Sequence, residues 1–205
     1  FSSRSPVEGV LAAFESIPSS ITPTILNQFR QLEDNVARET YSPNTLKLAL
    51  NQAKNRIPYL EKTLPEKYTT LGKVKELYQN PSIFNIFFNP GFFTEYKPSE
   101  PAQLVLDIYN ATGETKQFPK IAPKKLTFYG KTVELSGDQL SEFQKNMGVA
   151  TDIVFQKLAT DGKFKETNNA TKADILNYFL GKIYEKEKFN ILTKEQKKIL
   201  IFSLD

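Results

Sequence analysis

Apolar residues recur at three- and four-residue intervals along most of this chain, which is the spacing of one face of an α-helix. Before residue 58 the spacing predicts three helices: one over residues 6–17, one over residues 22–40, and one that begins at Ser42 and that Pro58 stops. The last of these is expected to bury a face made of Leu46, Leu50, Ala53 and Ile57.

The helical spacing returns after residue 100. Pro101 suits the first turn of a helix that Gly113 would close, with Leu104, Val105 and Ile108 on its inner face. Ser136 and Gln139 have the spacing of a capping box, so they predict the start of another helix. Its expected inner residues are Leu140, Phe143 and Met147.

Gly148 is expected to interrupt that helix before the pattern resumes through Ile153, Val154 and Leu158 and ends at Asp161-Gly162. Thr171 is predicted to cap a further helix, and Thr193 to start a last one that ends at Asp205. The inner face of the helix after Thr171 would carry Ile175, Leu176, Phe179, Ile183 and Tyr184.

Two segments depart from the helical spacing. In residues 126–135, β-branched and aromatic residues flank Gly130, which predicts a β-hairpin that turns about this glycine. Residues 58–100, here named the aromatic segment, are punctuated by proline and glycine and rich in Tyr and Phe, so we expect an extended wrap. Its rings need burial against helices of this chain, another chain or a lipid surface. The candidate partner contacts are Phe87, Phe88, Phe92 and Phe93.

The predicted fold is therefore mainly α, an irregular helical domain with a Pro/aromatic-rich extended wrap and one β-hairpin. Residues 1–57 would form N-terminal helices, residues 58–100 the extended segment, and residues 101–205 a helical region with the hairpin near residues 126–135. Because the first residue is Phe1 and the only methionine is Met147, the sequence is expected to be a fragment of a longer protein.

The amino-acid composition excludes several kinds of catalytic and metal-binding site. The chain has no cysteine and no histidine, which removes disulfides, thiolate and imidazole metal ligands, and the usual nucleophile–base pairs. We therefore expect a protein that is not an enzyme and has no metal site and no cofactor. No apolar run is long enough to cross a bilayer. The net charge of +4 is mildly basic and allows weak contact with DNA.

Two charged motifs have a functional and a simpler interpretation. The carboxylate pairs Glu33 with Asp34 and Glu185 with Glu187 could serve a glycosidase, but a solvated helix face explains them without chemistry. A lysine-rich run could bind phosphates, although interspersed glutamates dilute its charge. The run consists of Lys182, Lys186, Lys188, Lys194, Lys197 and Lys198.

Residues 55–67, with the sequence Asn-Arg-Ile-Pro-Tyr-Leu-Glu-Lys-Thr-Leu-Pro-Glu-Lys, resemble a segment in the C-terminal parts of very long tailed-phage and prophage proteins. These are large polyvalent, tape-measure-like and ejected internal virion proteins. In them an Arg-Glu step precedes this segment, and an Asn-Pro-aromatic patch and a helix ending in Gly follow it. The matching positions are Arg38-Glu39, Asn89-Pro90 with Phe92 and Phe93, and Leu135 to Gly148.

The resemblance spans about residues 22–160 and departs from the pattern at Tyr59 and Glu61, where a small residue and a serine are typical. It implies a role in assembly, packaging or ejection, with other virion proteins as partners in multiple copies. It also implies a location in the interior or tail of a phage particle, and in the bacterial cytoplasm during assembly. Two alternatives stay open: an internal virion protein that contacts DNA, and a fragment of a cell-wall-degrading virion enzyme.

Overall fold

The computed structural model describes residues 35–57, 59–77 and 99–201, and this part of the chain is mainly helical with one antiparallel β-hairpin. The chain divides into two compact units. The first unit comprises Phe1–Lys67 and Lys75–Thr94, and the second comprises Tyr68–Val74 and Glu95–Asp205.

Extended backbone opens the described part of the first unit. Val36 bridges Glu76 and Arg38 bridges Glu66, both antiparallel. The Ala37 N–H donates to the Lys75 carbonyl at 2.7 Å, and the Ala37 carbonyl accepts from the Lys67 N–H at 2.8 Å. The prediction of a helix over residues 22–40 is therefore wrong for residues 35–40, because partners distant in sequence satisfy this backbone from both sides.

Helix α1, Thr45–Lys54, begins at Asn44, whose side chain accepts from the Lys47 N–H at 3.0 Å. The helix is confirmed, but its predicted buried face is wrong at Leu46, which is 64% exposed. Asn51 is the buried residue instead, and its amide donates to the Thr40 carbonyl at 3.2 Å. Leu46 lies on the opposite side of the helix from Asn51, since five residues rotate the direction by about 140°.

The described residues of the aromatic segment before residue 78 contain one 3₁₀ helix, Glu61–Thr63, and otherwise turns and extended backbone. Glu61 is fully buried, and neither oxygen of its carboxylate has a hydrogen-bond partner among the residues that the structure describes. A buried polar group without a partner is unfavourable, so this side chain lowers the stability of the first unit.

The second unit is built on four of its helices. Helix α2, Glu100–Thr112, has Pro101 in its first turn and ends at Gly113, whose φ of 71° is left-handed, as predicted. Helices α3, Gly137–Thr160, α4, Gly162–Glu166, and α5, Asn169–Asn190, follow it. Their shared core consists of Val105, Ile108, Phe155, Phe164, Ala173 and Leu176.

Helix α3 begins with the predicted capping box. The Gln139 N–H donates to the Ser136 hydroxyl at 3.2 Å, and the Ser136 N–H donates to the Gln139 side chain at 3.1 Å. The predicted inner residues Leu140, Phe143 and Met147 are buried. Ile153, expected to be inside, is 48% exposed because it lies two residues from the buried Phe155 and so on the other side of the helix.

Gly148 does not interrupt α3, which contradicts the sequence prediction. Gly148 instead faces Gly72, which adopts a φ of 71° in the turn between Thr69 and Lys73. A Cβ on Gly148 would overlap the backbone of Gly72. Two backbones therefore meet here directly, and the glycine in mid-helix serves packing.

The predicted break at Asp161 is confirmed, because Asp161 ends α3 and its side chain caps α4 by accepting from the Phe164 N–H at 2.7 Å. Helix α5 is capped by Asn168, and the predicted cap, Thr171, supplies the N–H that Asn168 accepts at 2.9 Å. The predicted start of α5 is wrong because Asn and Thr are both good N-caps, and the sequence alone does not decide between Asn168 and Thr171. Of the predicted inner residues, Leu176 is fully buried and the others are half-buried.

A second capping box starts the last helix, α6, Lys194–Ile201. The Gln196 N–H donates to the Thr193 hydroxyl at 3.1 Å, and the Thr193 N–H donates to the Gln196 side chain at 2.9 Å. Thr193 was predicted to start this helix, and the predicted end at Asp205 lies outside the described residues.

The hairpin pairs β1, Lys125–Phe128, with β2, Lys131–Glu134. Tyr129 and Gly130 form its two-residue turn, and both have positive φ, 46° and 80°. Two positive values define a type I′ turn, which matches the right-handed twist of paired strands. Leu126 and Phe128 are buried, so the predicted hairpin is confirmed and contributes one face to the core.

Candidate functional site

The aromatic residues proposed as partner contacts, Phe87, Phe88, Phe92 and Phe93, lie outside the described residues, as does the carboxylate pair Glu33 with Asp34. Their roles stay predictions. Among the described residues, α5 carries the candidate binding features. Lysines and aromatic rings lie on its outer face, and another side of the helix lines a cavity.

Lysine and aromatic side chains alternate along the outer face of α5. Tyr178, Lys182, Lys186 and Phe189 follow one another at intervals of three or four residues, so they share one side of the helix. Tyr178 is 60% exposed and Phe189 is 52% exposed. With Lys197 of α6, we name this set the lysine–aromatic surface.

Each exposed ring on this surface lies under an ammonium group. Lys182 Nζ is 5.4 Å from the ring centroid of Tyr178, and Lys197 Nζ is 4.9 Å from that of Phe189. A cation over a ring face is attracted by the ring quadrupole, worth about 0.5–1 kcal/mol at an exposed site. These contacts hold both the rings and the charges in place on the surface.

Lys188 differs from the other lysines of the run. Its side chain is 15% exposed, it forms an ion pair with Glu185 at 3.6 Å, and its ammonium is 4.8 Å from the centroid of Phe128. It therefore packs α5 against the hairpin and is not available to a phosphate. The lysine run thus divides into one packing residue and an exposed group that includes Lys182, Lys186, Lys194 and Lys198.

Glu185 and Glu187 do not form an acid–base pair. Residues two apart on a helix point in different directions, and each of these carboxylates has its own partner. Glu185 pairs with Lys188, and Glu187 accepts from Asn190 at 3.4 Å. The geometry of the pair favours the interpretation as helix-surface charges over the glycosidase one.

No family model matches the chain, and neither a curated protein nor a solved structure matches it.

A cavity of about 410 Å³ lies between α3, α5 and the loop of residues 116–123. Its walls are mainly apolar and include Phe118, Ile121, Met147, Leu180 and Ile183. The sequence did not reveal it, because its walls come from separate parts of the chain. Gly181, a glycine inside an otherwise regular helix, is the one local signal at its edge.

A small ion-pair network stands beside this cavity. The Lys116 ammonium is 2.7 Å from the Asp174 carboxylate and 2.5 Å from the Glu114 carboxylate. Asp174 and then Glu114 hold the pKa of Lys116 above its ordinary value. Inside the cavity, burial, followed by the charge of Glu185, raises the pKa of the Tyr184 phenol, which therefore stays protonated and able to donate.

Gln144 joins three parts of the second unit. Its carbonyl oxygen accepts from the Ala122 N–H at 2.6 Å, and its amide donates to the Thr69 carbonyl at 3.1 Å. Because Gln144 is 6% exposed, these bonds are made away from water. They fix the loop of residues 116–123 and the segment Tyr68–Val74 to α3.

Within residues 35–57, 59–77 and 99–201, no group of three or more acidic residues is placed to hold a metal ion. Over the same part of the chain, no helix has the length and apolar character needed to span a membrane.

Proposed function

We propose that the chain is a non-enzymatic structural or interaction region of a tailed-phage virion protein, with a role in assembly, in the tail, or as an ejected internal component. The resemblance of residues 55–67 and their neighbours to segments of such proteins supports the virion assignment. The chain would then be located in the particle and, during assembly, in the host cytoplasm. Its partners would be other virion proteins, present in several copies.

The observation that carries the interaction role is the lysine–aromatic surface. Tyr178 and Phe189 keep more than half of their side-chain area in water, which is unfavourable for large rings unless a partner covers them. Aromatic residues are enriched at protein interfaces because they bury much area with few rotatable bonds. The lysines beside them would add attraction to an acidic rim on the partner.

The first test is mass spectrometry of purified particles, which asks whether this chain is a virion component. A double variant, Tyr178→Ser with Phe189→Ser, should then lower incorporation into particles strongly, by about tenfold or more, since hot-spot rings each contribute 2 kcal/mol or more. Tyr129→Ser is the matched control, because Tyr129 is 82% exposed on the hairpin turn and lies outside the surface.

Normal incorporation of the double variant would remove the surface from the proposal, and absence of the chain from particles would remove the virion assignment itself. Replacement of Phe87, Phe88 and Phe92 by Ser tests the aromatic segment in the same assay, with loss of incorporation expected. The two sets of variants separate the two candidate contact regions.

A second candidate function is contact with packaged DNA. The same surface interleaves exposed rings with ammonium groups, which is the arrangement that stacks bases and neutralises phosphates in single-stranded nucleic-acid binding. Lys182→Gln with Lys186→Gln should then weaken binding and flatten its salt dependence by about 0.7 per lost phosphate contact. Binding that is insensitive to salt would exclude this function.

A further inference from the structure

We propose that the cavity between α3, α5 and the loop of residues 116–123 binds a small amphipathic carboxylate, a hydrocarbon body with one anionic end. This site is separate from the lysine–aromatic surface and does not depend on the proposed virion role.

The size and lining of the cavity fit the hydrocarbon body. Its volume of about 410 Å³ lies within the range of about 300–1,000 Å³ that small-molecule sites occupy. Phe118 and Ile121 line it from the loop, and Leu180 and Ile183 from α5. Burial of a hydrocarbon body against such walls is favoured by roughly 25 cal/mol for each Å² removed from water.

Polar groups are also present in the lining of the cavity. Thr151, which is 2% exposed, and the exposed Asn177 line it beside the apolar side chains. Small-molecule sites are typically apolar with a few polar groups that fix the orientation of the ligand, and the lining of this cavity has that composition.

Lys120 at the mouth of the cavity favours an anionic end group over a cationic one. Lys116 and Lys120 are among its lining residues, and no carboxylate is. Glu114 and Asp174, the carboxylates beside it, are both engaged by Lys116. Lys120 is exposed and forms no ion pair with any residue that the structure describes, so its ammonium is free to pair with a ligand carboxylate at the mouth.

Gly181 leaves space at the edge of the cavity. A glycine inside a helix costs about 1 kcal/mol relative to alanine, and a Cβ added at Gly181 would meet no atom within 4 Å. Packing therefore does not require glycine here, in contrast to Gly148. A side chain at this position would instead reduce the space at the edge of the cavity that Gly181 lines.

The test is isothermal titration of the full chain with decanoate, kept below its micelle concentration. Gly181→Leu should weaken binding by about tenfold or more, and its fold should survive because leucine is a better helix former than glycine. Ala170→Leu adds the same side chain to an exposed position of α5 outside the cavity lining and should bind as the unmodified chain does. Circular dichroism verifies that both variants keep their helix content.

The anionic end is tested by Lys120→Gln, which should weaken decanoate binding several-fold, and by decylamine, which should bind at least about tenfold more weakly than decanoate. Three results would overturn the proposal: no saturable binding of decanoate, equal binding by the Gly181→Leu chain, or decylamine binding as tight as decanoate. Saturable decanoate binding that Gly181→Leu weakens and Ala170→Leu leaves unchanged would establish the site.

Discussion

The side chains of Gln139 and Gln196 join the starts of two helices that lie far apart in sequence. Each glutamine closes the capping box of its own helix, and Gln139 Nε2 donates to Gln196 Oε1 at 2.9 Å. Gln139 Nε2 also donates to the Ile191 carbonyl at 3.1 Å. One amide group therefore connects the start of α3, the end of α5 and the start of α6.

This arrangement predicts different responses to one substitution at two positions. Gln139→Glu keeps the acceptor for Ser136 but replaces a donor that faces two acceptors, so it should lower the free energy of unfolding by about 1–3 kcal/mol. Gln196→Glu keeps an acceptor for both of its donors and places a negative charge at a helix start, so stability should change little. Urea unfolding measures the stability of both variants. Equal decreases in the free energy of unfolding would contradict the hydrogen bonds described for Gln139.

The two mid-helix glycines should respond oppositely to alanine. Gly181→Ala should raise the free energy of unfolding by about 0.5–1 kcal/mol, since nothing occupies the space of the new methyl group. Gly148→Ala should lower it by about 1–3 kcal/mol, because the methyl group would overlap Gly72. Thermal or urea unfolding measures both, each serving as the control for the other, and a stabilising Gly148→Ala would disprove the backbone contact.

Glu61 should be a stability defect of the first unit. Glu61→Met keeps the length of the side chain and removes a buried carboxylate that has no hydrogen-bond partner in the described part of the chain, so the free energy of unfolding should rise by about 1–3 kcal/mol. Lys62→Met, an exposed neighbour in the same 3₁₀ helix, should change it by less than about 0.5 kcal/mol. The expectation fails if urea unfolding finds the Glu61→Met chain less stable than the unmodified one.

The Lys116 network predicts a loss of stability at alkaline pH. Asp174 and Glu114 raise the pKa of Lys116 in the folded chain, so the folded state keeps a proton that the unfolded state releases. This contribution is fully present below the ordinary lysine pKa of about 10.4 and disappears as the pH rises through the raised folded value. Urea midpoints measured from pH 8 to pH 11 should show it.

Lys116→Met isolates that contribution, because the variant lacks the titrating group. Its stability should fall less steeply than that of the unmodified chain above pH 10, although some decline should remain. The remainder is expected because the pKa of Tyr184 is also raised, which favours the protonated folded state in the same direction. Parallel curves for the two chains would assign the alkaline decline to other groups.

Elements with local signals could be predicted from the sequence. Pro101 and Gly113 mark the ends of α2, Ser136 with Gln139 marks the start of α3, and Gly130 marks the hairpin turn. In each case the deciding hydrogen bonds or backbone angles involve residues within a few positions of one another. Capping and turn chemistry therefore sufficed to place these elements.

Elements that depend on distant partners could not be predicted from the sequence. Residues 35–40 form the end of a helix predicted from the apolar spacing of residues 22–40, yet their backbone pairs with residues 65–67 and 75–77. From the sequence alone Gly148 is expected to interrupt the helix, because the sequence does not show that Gly72 packs against it. The cavity could not be predicted either, since its lining residues come together only in the folded chain. The lysine–aromatic surface could be predicted in part, because its lysines form a run in the sequence.

The contact between Gly72 and Gly148 also limits how the length of α3 can change. One residue inserted between Ser136 and Gly148 would rotate everything after it by about 100°, so a residue with a side chain would face Gly72. An insertion between Gln139 and Gln144 would also turn the Gln144 amide away from Thr69. Relatives of this chain should therefore keep the number of residues between the capping box and Gly148 constant, and concentrate insertions and deletions elsewhere.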